Sequence, residues 1–279
     1  MKKYLALFLT MAMSVGVLAG CGGGNEEPAA TDGADTAERT TFTVGFDAEY
    51  PPYGFKNDAG EYVGFDLDLA QEVCDRNGWE LIKQPIDWSS KDMELNSGTV
   101  DCLWNGFTMT GRESEYTFSE PYVDNSIVFV VRQDSDIQTK EDLAGKIVIT
   151  QAGSSALTAL TNTEDNDENL ALAATFASLE QTPDYNSAFM SLETGAVDAI
   201  AVDIGVAQYQ LTNHSDKFRQ LEEPLSTEQY AIAFKLGNEE LRDQVQATLD
   251  EMVEDGTFDA IAANYADYNL DQMVCLGKE

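Results

Sequence analysis

Two segments, Met93–Trp104 "MELNSGTVDCLW" and Met190–Val202 "MSLETGAVDAIAV", follow one plan. Each runs from the end of a helix through a Ser-Gly or Thr-Gly turn into an apolar run opened by Val-Asp. A glycine after the last periodic residue stops a helix, and a short apolar run bounded by such a turn reads as a buried strand. The unit occurs once in each half, which predicts two similar α/β lobes. Outward from these segments the pattern continues. "TFTVGF" (Thr41–Phe46) alternates as a strand, and "GFDLDLAQEVCDRNG" (Gly64–Gly78) lays Phe65, Leu67, Leu69, Val73 and Cys74 largely along one helical face. "WELIKQPI" and "VDCLW" read as strands around the short helix "SKDMELNSG". Strand, helix, strand, helix, strand implies a parallel α/β sheet. The middle repeats the theme in "EDLAGKIVITQAGSSALTAL" and in the helix, strand and helix of "YNSAFMSLETGAVDAIAVDIGVAQYQL". The tail from Asn238 to Tyr268 is helical and broken at Gly256.

The chain carries 50 acidic and 16 basic residues, a formal charge of −34. Such a surface argues against nucleic acid and anionic headgroups as partners, and any site for an anion has to be made locally. Four cysteines and the single His214 match no zinc spacing, so neither a metal nor a cofactor is expected. Cys74 and Cys102 read either as buried free thiols or as a disulfide. His214, in "TNHSDK", reads as an exposed loop residue.

Residues 1–20 have the form of a signal peptide, with Lys2 and Lys3 ahead of an apolar stretch, Tyr4–Val17, too short to span a bilayer comfortably. Leu18-Ala19-Gly20-Cys21 resembles the lipobox of bacterial lipoproteins, which implies cleavage before Cys21, lipidation there and a membrane anchor. Residues 21–41 lack apolar periodicity and read as a flexible linker. The implied address is the extracytoplasmic face of the cell membrane, as on a Gram-positive surface.

The loop after "VDCLW" holds Asn105, Gly106, Thr108, Thr110 and Arg112. Donors ending in a guanidinium at a strand's carboxyl end are what an anionic group such as a carboxylate would want. Taken with "GFDAEYPPYGF", "GFDLDLAQEVCDRNG", "FTMTGRESEYTFSEPY", "DLAGKIVITQAGSSA", "LETGAVDAIAVD" and "MVEDGTFDAIAANY" in this order, the chain from Phe42 to Tyr268 resembles the amino-acid-binding proteins of ABC importers. This is the solute-binding family 3 that includes histidine-, lysine/arginine/ornithine- and glutamine-binding proteins. The resemblance implies a two-lobe periplasmic-binding-protein fold of type II, with lobe 1 at 42–123 and 227–279 and lobe 2 at 124–226. Two strands, near Val123–Ser126 and Pro224–Glu228, cross between the lobes, and the ligand lies in the cleft.

The resemblance also implies roles. Arg112 grips the amino acid's α-carboxylate, helped by Asn105, Gly106 and Thr108; relatives commonly have one residue more between the Thr and the Arg. Gly153, Ser154 and Ser155 meet the same carboxylate from lobe 2, with Ser155 the expected contact and helix capping the plain alternative. Asp203 accepts from the α-ammonium. Tyr50 and Trp88 are aromatic walls, Asp47 faces the ligand's side chain and favours a polar or basic amino acid, and Glu49 faces solvent. Trp104 is either core or wall. The partners implied are importer permease subunits, with the protein itself a monomer. An enzyme on the same fold, dehydratase-like, and an amino-acid-sensing module are the alternatives. A catalytic reading lacks a histidine in the cleft, since His214 lies in a loop, and every cleft carboxylate already has a binding role.

Overall fold

The structure is a computed structural model and describes residues 39–162 and 167–278; Cys21 and the segments read as leader and most of the linker lie outside them. Strand β1 (Thr41–Phe46) leads into an antiparallel ribbon of β2 (Glu49–Tyr50), β3 (Gly54–Lys56) and β4 (Tyr62–Val63). Helix α1 (Phe65–Asn77), β5 (Glu80–Pro85), a 3-10 turn at Trp88–Ser90, α2 (Lys91–Ser97), β6 (Cys102–Leu103) and β7 (Tyr116–Phe118) follow. Then come β8 (Val123–Arg132), β9 (Ile147–Gln151), α3 (Ser155–Thr161), α4 (Asp167–Ala173), β10 (Ser178–Thr182) and α5 (Tyr185–Glu193). After these come β11 (Ala199–Asp203), α6 (Ile204–Asn213), β12 (Phe218–Gln220) and β13 (Ser226–Tyr230). The chain ends through β14 (Ala233–Lys235), α7 (Glu239–Glu254), α8 (Thr257–Ala263) and α9 (Leu270–Met273).

Two sheets organise these elements. The first has the order β5-β1-β6-β14-β7, the second β10-β9-β11-β8-β12. Neither is wholly parallel. Strand β1 is parallel to β5 and β6, but β14 runs antiparallel to β6 and β7. In the second sheet β9 is parallel to β10 and β11, while β8 is antiparallel to β11 and β12. The strand expected over "VDCLW" shrinks to Cys102 and Leu103. Asp101 instead ties down Thr43, whose N–H donates to its carboxylate at 2.7 Å.

Strand β8 is ten residues long because it does two jobs. Its far half lies in the second sheet, and its near half pairs antiparallel with β13, placing Glu228 opposite Asn125 and Tyr230 opposite Val123. The two strands therefore run side by side between the sheets. The C-terminal segment returns to their base, where Cys275 N–H donates to Tyr122 O and Val274 bridges Val123. Cys74, Cys102 and Cys275 are free thiols, the first two buried. Among the described residues no helix is long and apolar enough to cross a membrane.

Helix α1 shows how sequence makes the packing. Phe65, Leu69, Ala70, Val73 and Cys74 are fully buried at helical spacing. Asp66 and Asp68 lie in its first turn, the end where the helix dipole favours negative charge. Trp104 is wholly buried, edge-on to Tyr122 with centroids 6.4 Å apart. It is core, not a cleft wall.

One close approach joins the two halves. Tyr53, fully buried after the ribbon's first strand, packs onto Gly205 in the first turn of α6. A Cβ at Gly205 would stand 2.8 Å from two Tyr53 ring carbons and nearer still to its hydroxyl. Gly205→Ala should therefore cost about 1–3 kcal/mol by overpacking, read from urea denaturation. Tyr53→Phe in the same chain removes the nearest clashing atom, so the double variant should lose less than the sum of the two singles. Simple additivity would show that the two residues do not press on each other.

Candidate functional site

The site sits at the carboxyl ends of β1, β6, β9 and β11, where open α/β sheets hold ligands. Tyr50, Trp88, Gly106, Thr108, Arg112, Gln151, Ser154, Ser155 and Asp203 line one cavity there. The space left among their side chains is ≈ 20 Å³, about one water. An amino acid can enter only if the two faces part. A groove of ≈ 240 Å³ adjoins it, sharing Thr108, Arg112 and Ser155.

Asp66 builds the first face. It lies on α1, fully buried, and accepts from Gly106 N–H at 2.6 Å and from the Tyr122 hydroxyl at 2.9 Å. Gly106 is the residue this needs: its φ is +57°, and a Cβ would lie 2.8 Å from Tyr230 and 3.0 Å from Tyr50. With the loop pinned, Arg112 sets its guanidinium 5.0 Å above the Phe107 ring. Among the described residues no carboxylate pairs with Arg112. Trp88 stands edge-on to Phe107 and carries the Lys91 ammonium 5.5 Å from its centroid. Lys91 is itself buried and reaches Gly153 O at 3.3 Å on the opposite face. Burial lowers its pKa.

The second face begins with the turn after β9. Ser154 caps α3, accepting from Leu157 N–H and donating to Gln151 O. Its hydroxyl is thereby engaged locally, whereas Ser155 Oγ donates to Glu228 at 3.1 Å. Asp203, at the end of β11, is 2% exposed. It accepts from the Tyr230 hydroxyl at 2.5 Å and from Asn125 Nδ2 at 2.9 Å. Burial raises its pKa against those hydrogen bonds. Glu228 is raised as well, by burial first and then by the charge of Asp203.

Three expected residues sit otherwise. Asn105 turns away from the cavity, because its Oδ1 accepts from Asp47 N–H at 2.9 Å, holding the end of β1. Gly153 presents its carbonyl to Lys91 instead of lining the space. Asp47 stands just behind the lining, its carboxylate taking Gln151 Nε2 at 2.5 Å, and burial pushes its pKa to about 6. Glu49 is exposed but bonds Asn186 across the cleft. His214 caps the end of α6 with its ring edge-on to Phe218. Sequence reasoning missed Glu228, Asn125, Gln151, Tyr230 and Lys91. The signal for the first two is a polar residue inside each crossing strand, at Asn125 and at Glu228.

The chain matches the bacterial extracellular solute-binding proteins, family 3, over residues 42–268. It belongs to that family. It is 30% identical to the L-cystine-binding protein TcyA of Bacillus subtilis over 276 residues, covering 95% of this chain and 97% of that protein. To the L-cystine-binding protein TcyJ of Escherichia coli K12 it is 29% identical, covering 82% and 83%. Among solved structures, an ABC uptake transporter substrate-binding protein from Streptococcus pneumoniae with bound histidine superposes with a TM-score of 0.75 at 31% identity, covering 81% and 92%. The family's members are binding proteins of extracytoplasmic location.

Asp66 yields a pH prediction. Burial lifts its pKa from 3.8 to about 7, so the folded form keeps a proton that the unfolded chain releases. Its contribution to stability is complete below pH 3.8 and is lost as pH rises through about 7. The melting temperature should fall between about pH 4 and pH 7, and Asp66→Asn should flatten that slope. Equal slopes in both proteins would mean that Asp66 does not hold the proton.

Proposed function

We propose that this protein binds a free amino acid, polar or basic, in the cleft and hands it to the permease subunits of an ABC importer without altering it. The observation that carries this reading is a pair of opposite charges facing one cavity. Arg112 offers an unpaired guanidinium from the first face, and Asp203 a buried carboxylate from the second. A zwitterion loses water at both ends on entering, and each end then needs an opposite partner. Thr108 and Ser155 add hydroxyls for the carboxylate; Tyr50 and Trp88 cover the ligand with their rings. Asp47 and Asp203 have no cation within ion-pairing distance among the described residues, which favours a ligand with a positive or hydrogen-donating side chain. The histidine in the pneumococcal relative supports the same preference, whereas the cystine-binding relatives widen the class to polar amino acids. Lobe 1 comprises 42–123 and 227–279, lobe 2 124–226, and the β8–β13 pair is the hinge on which they close. The protein acts as a monomer, tethered through a lipid on Cys21 to the extracytoplasmic face of the cell membrane.

A thermal-shift screen of the amino acids, ornithine, citrulline and cystine identifies the ligand, since binding to the folded form alone raises stability. Arg112→Met and Asp203→Asn should each leave a desolvated ligand charge unpaired, costing about 2–5 kcal/mol, or roughly thirtyfold to several thousandfold in Kd. Tyr50→Ala and Asp47→Ala should instead reorder the amino acids. Calorimetry decides; an Arg112→Met protein within about threefold of wild type moves the carboxylate site elsewhere. For the anchor, Cys21→Ala should release the protein from the membrane or leave the leader uncut. Unchanged fractionation and migration would overturn it.

A further inference from the structure

The carboxylate of Glu228 stands where hydroxyls from both faces converge. One oxygen, Oε1, accepts from Thr108 Oγ1 at 2.7 Å, from Asn125 Nδ2 at 2.8 Å and from Ser155 Oγ at 3.1 Å. Thr108 belongs to the loop between β6 and β7 of the first sheet. Ser155 opens α3, directly after β9 of the second. Asn125 and Glu228 are register partners on the crossing strands. Three neutral donors saturate that oxygen, which is how a protein holds an anion away from water.

Thr108 and Ser155 are also the hydroxyls that the amino-acid-binding reading gives to the ligand's carboxylate. A hydroxyl has one hydrogen to donate, so neither can serve two anions at once. A second carboxylate brought beside Glu228 is also repelled by it. We propose that Glu228 is an internal stand-in for the ligand's carboxylate. It clasps the two faces through Thr108 and Ser155, and it must release them before an amino acid is gripped. The inference rests on the binding reading above. Glu228 then sets affinity by competition, because binding is weakened by the fraction of molecules in which the hydroxyls are already taken.

The test is calorimetry with L-arginine, L-histidine and L-glutamine on wild type, Glu228→Ala and Glu228→Gln, with small-angle scattering of the same proteins free of amino acid. Glu228→Ala should bind about tenfold more tightly than wild type. Glu228→Gln should fall between them, since an amide oxygen still accepts but carries no charge, and it serves alone should the alanine variant fail to fold. Free Glu228→Ala should also have the larger radius of gyration, the clasp being gone. Unchanged or weaker binding in Glu228→Ala overturns the proposal, and weaker binding would make Glu228 a partner of the ligand's ammonium. If no protein binds any of the three, the amino-acid reading fails for these ligands and scattering alone decides. Expansion of Glu228→Ala then upholds the clasp, and an unchanged radius overturns it.

Discussion

One side-chain amide joins the two acids at the centre of the cleft. Asn125 Nδ2 has two hydrogens; one goes to Asp203 and the other to Glu228, at 2.9 and 2.8 Å. Two carboxylates from different strands are thereby held beside each other with no cation between them among the described residues. That arrangement fixes the amide's orientation, because the flipped form would set a carbonyl oxygen against both acids. It also fixes register. Asn125 is a crossing-strand residue whose partner in the ladder is Glu228, so a slip of one strand by one position would put the two side chains on opposite sides of the ribbon.

The same logic, a buried acid used as a structural acceptor, recurs at Asp66. In the first turn of a helix an aspartate ordinarily serves the helix's own N–H groups. Here its carboxylate instead links α1 to the Gly106 loop and to Tyr122, which precedes the first crossing strand. The helix thus positions the loop that carries Thr108 and Arg112. The raised pKa of Asp66 follows from that burial, and it costs stability at neutral pH that a purely packing residue would not.

Much of this is legible in the sequence, and the limits have physical causes. The helix-glycine-strand unit, the apolar face of α1 and the placement of Arg112, Ser155 and Asp203 at strand ends all follow from local pattern. The antiparallel members of each sheet do not, because β14 and β8 reach their neighbours through long connections that no local period records. Asn105 and Gly153 show a second limit. Position in a loop places a residue near the cavity, but which of its groups faces the space depends on partners far away: Asp47 N–H takes the Asn105 side chain and Lys91 the Gly153 carbonyl. Glu228 is the sharpest case. Its donors lie 120, 103 and 73 residues away in sequence, so only folding brings its role into view.

The contacts across the cleft also explain how it can open. Asp47–Gln151, Glu49–Asn186, Lys91–Gly153 and the Glu228 clasp are all hydrogen bonds. Each is replaced by water when the faces part, and because each has a charged partner each loses a net of about 1.5–3 kcal/mol. The second sheet meanwhile keeps a separate core around Ile127, Phe129, Val148 and Leu160, which parting leaves untouched. Aromatic continuity does bridge the halves, through Tyr50 on Tyr185 with centroids 6.0 Å apart and Tyr53 on Gly205. Phe55 on Tyr209 adds to it, and the core on the second sheet's other face, around Val128, Ile200 and Val202, is continuous with that of the first. A zwitterion that supplies both missing charges adds the differential binding that biases closure.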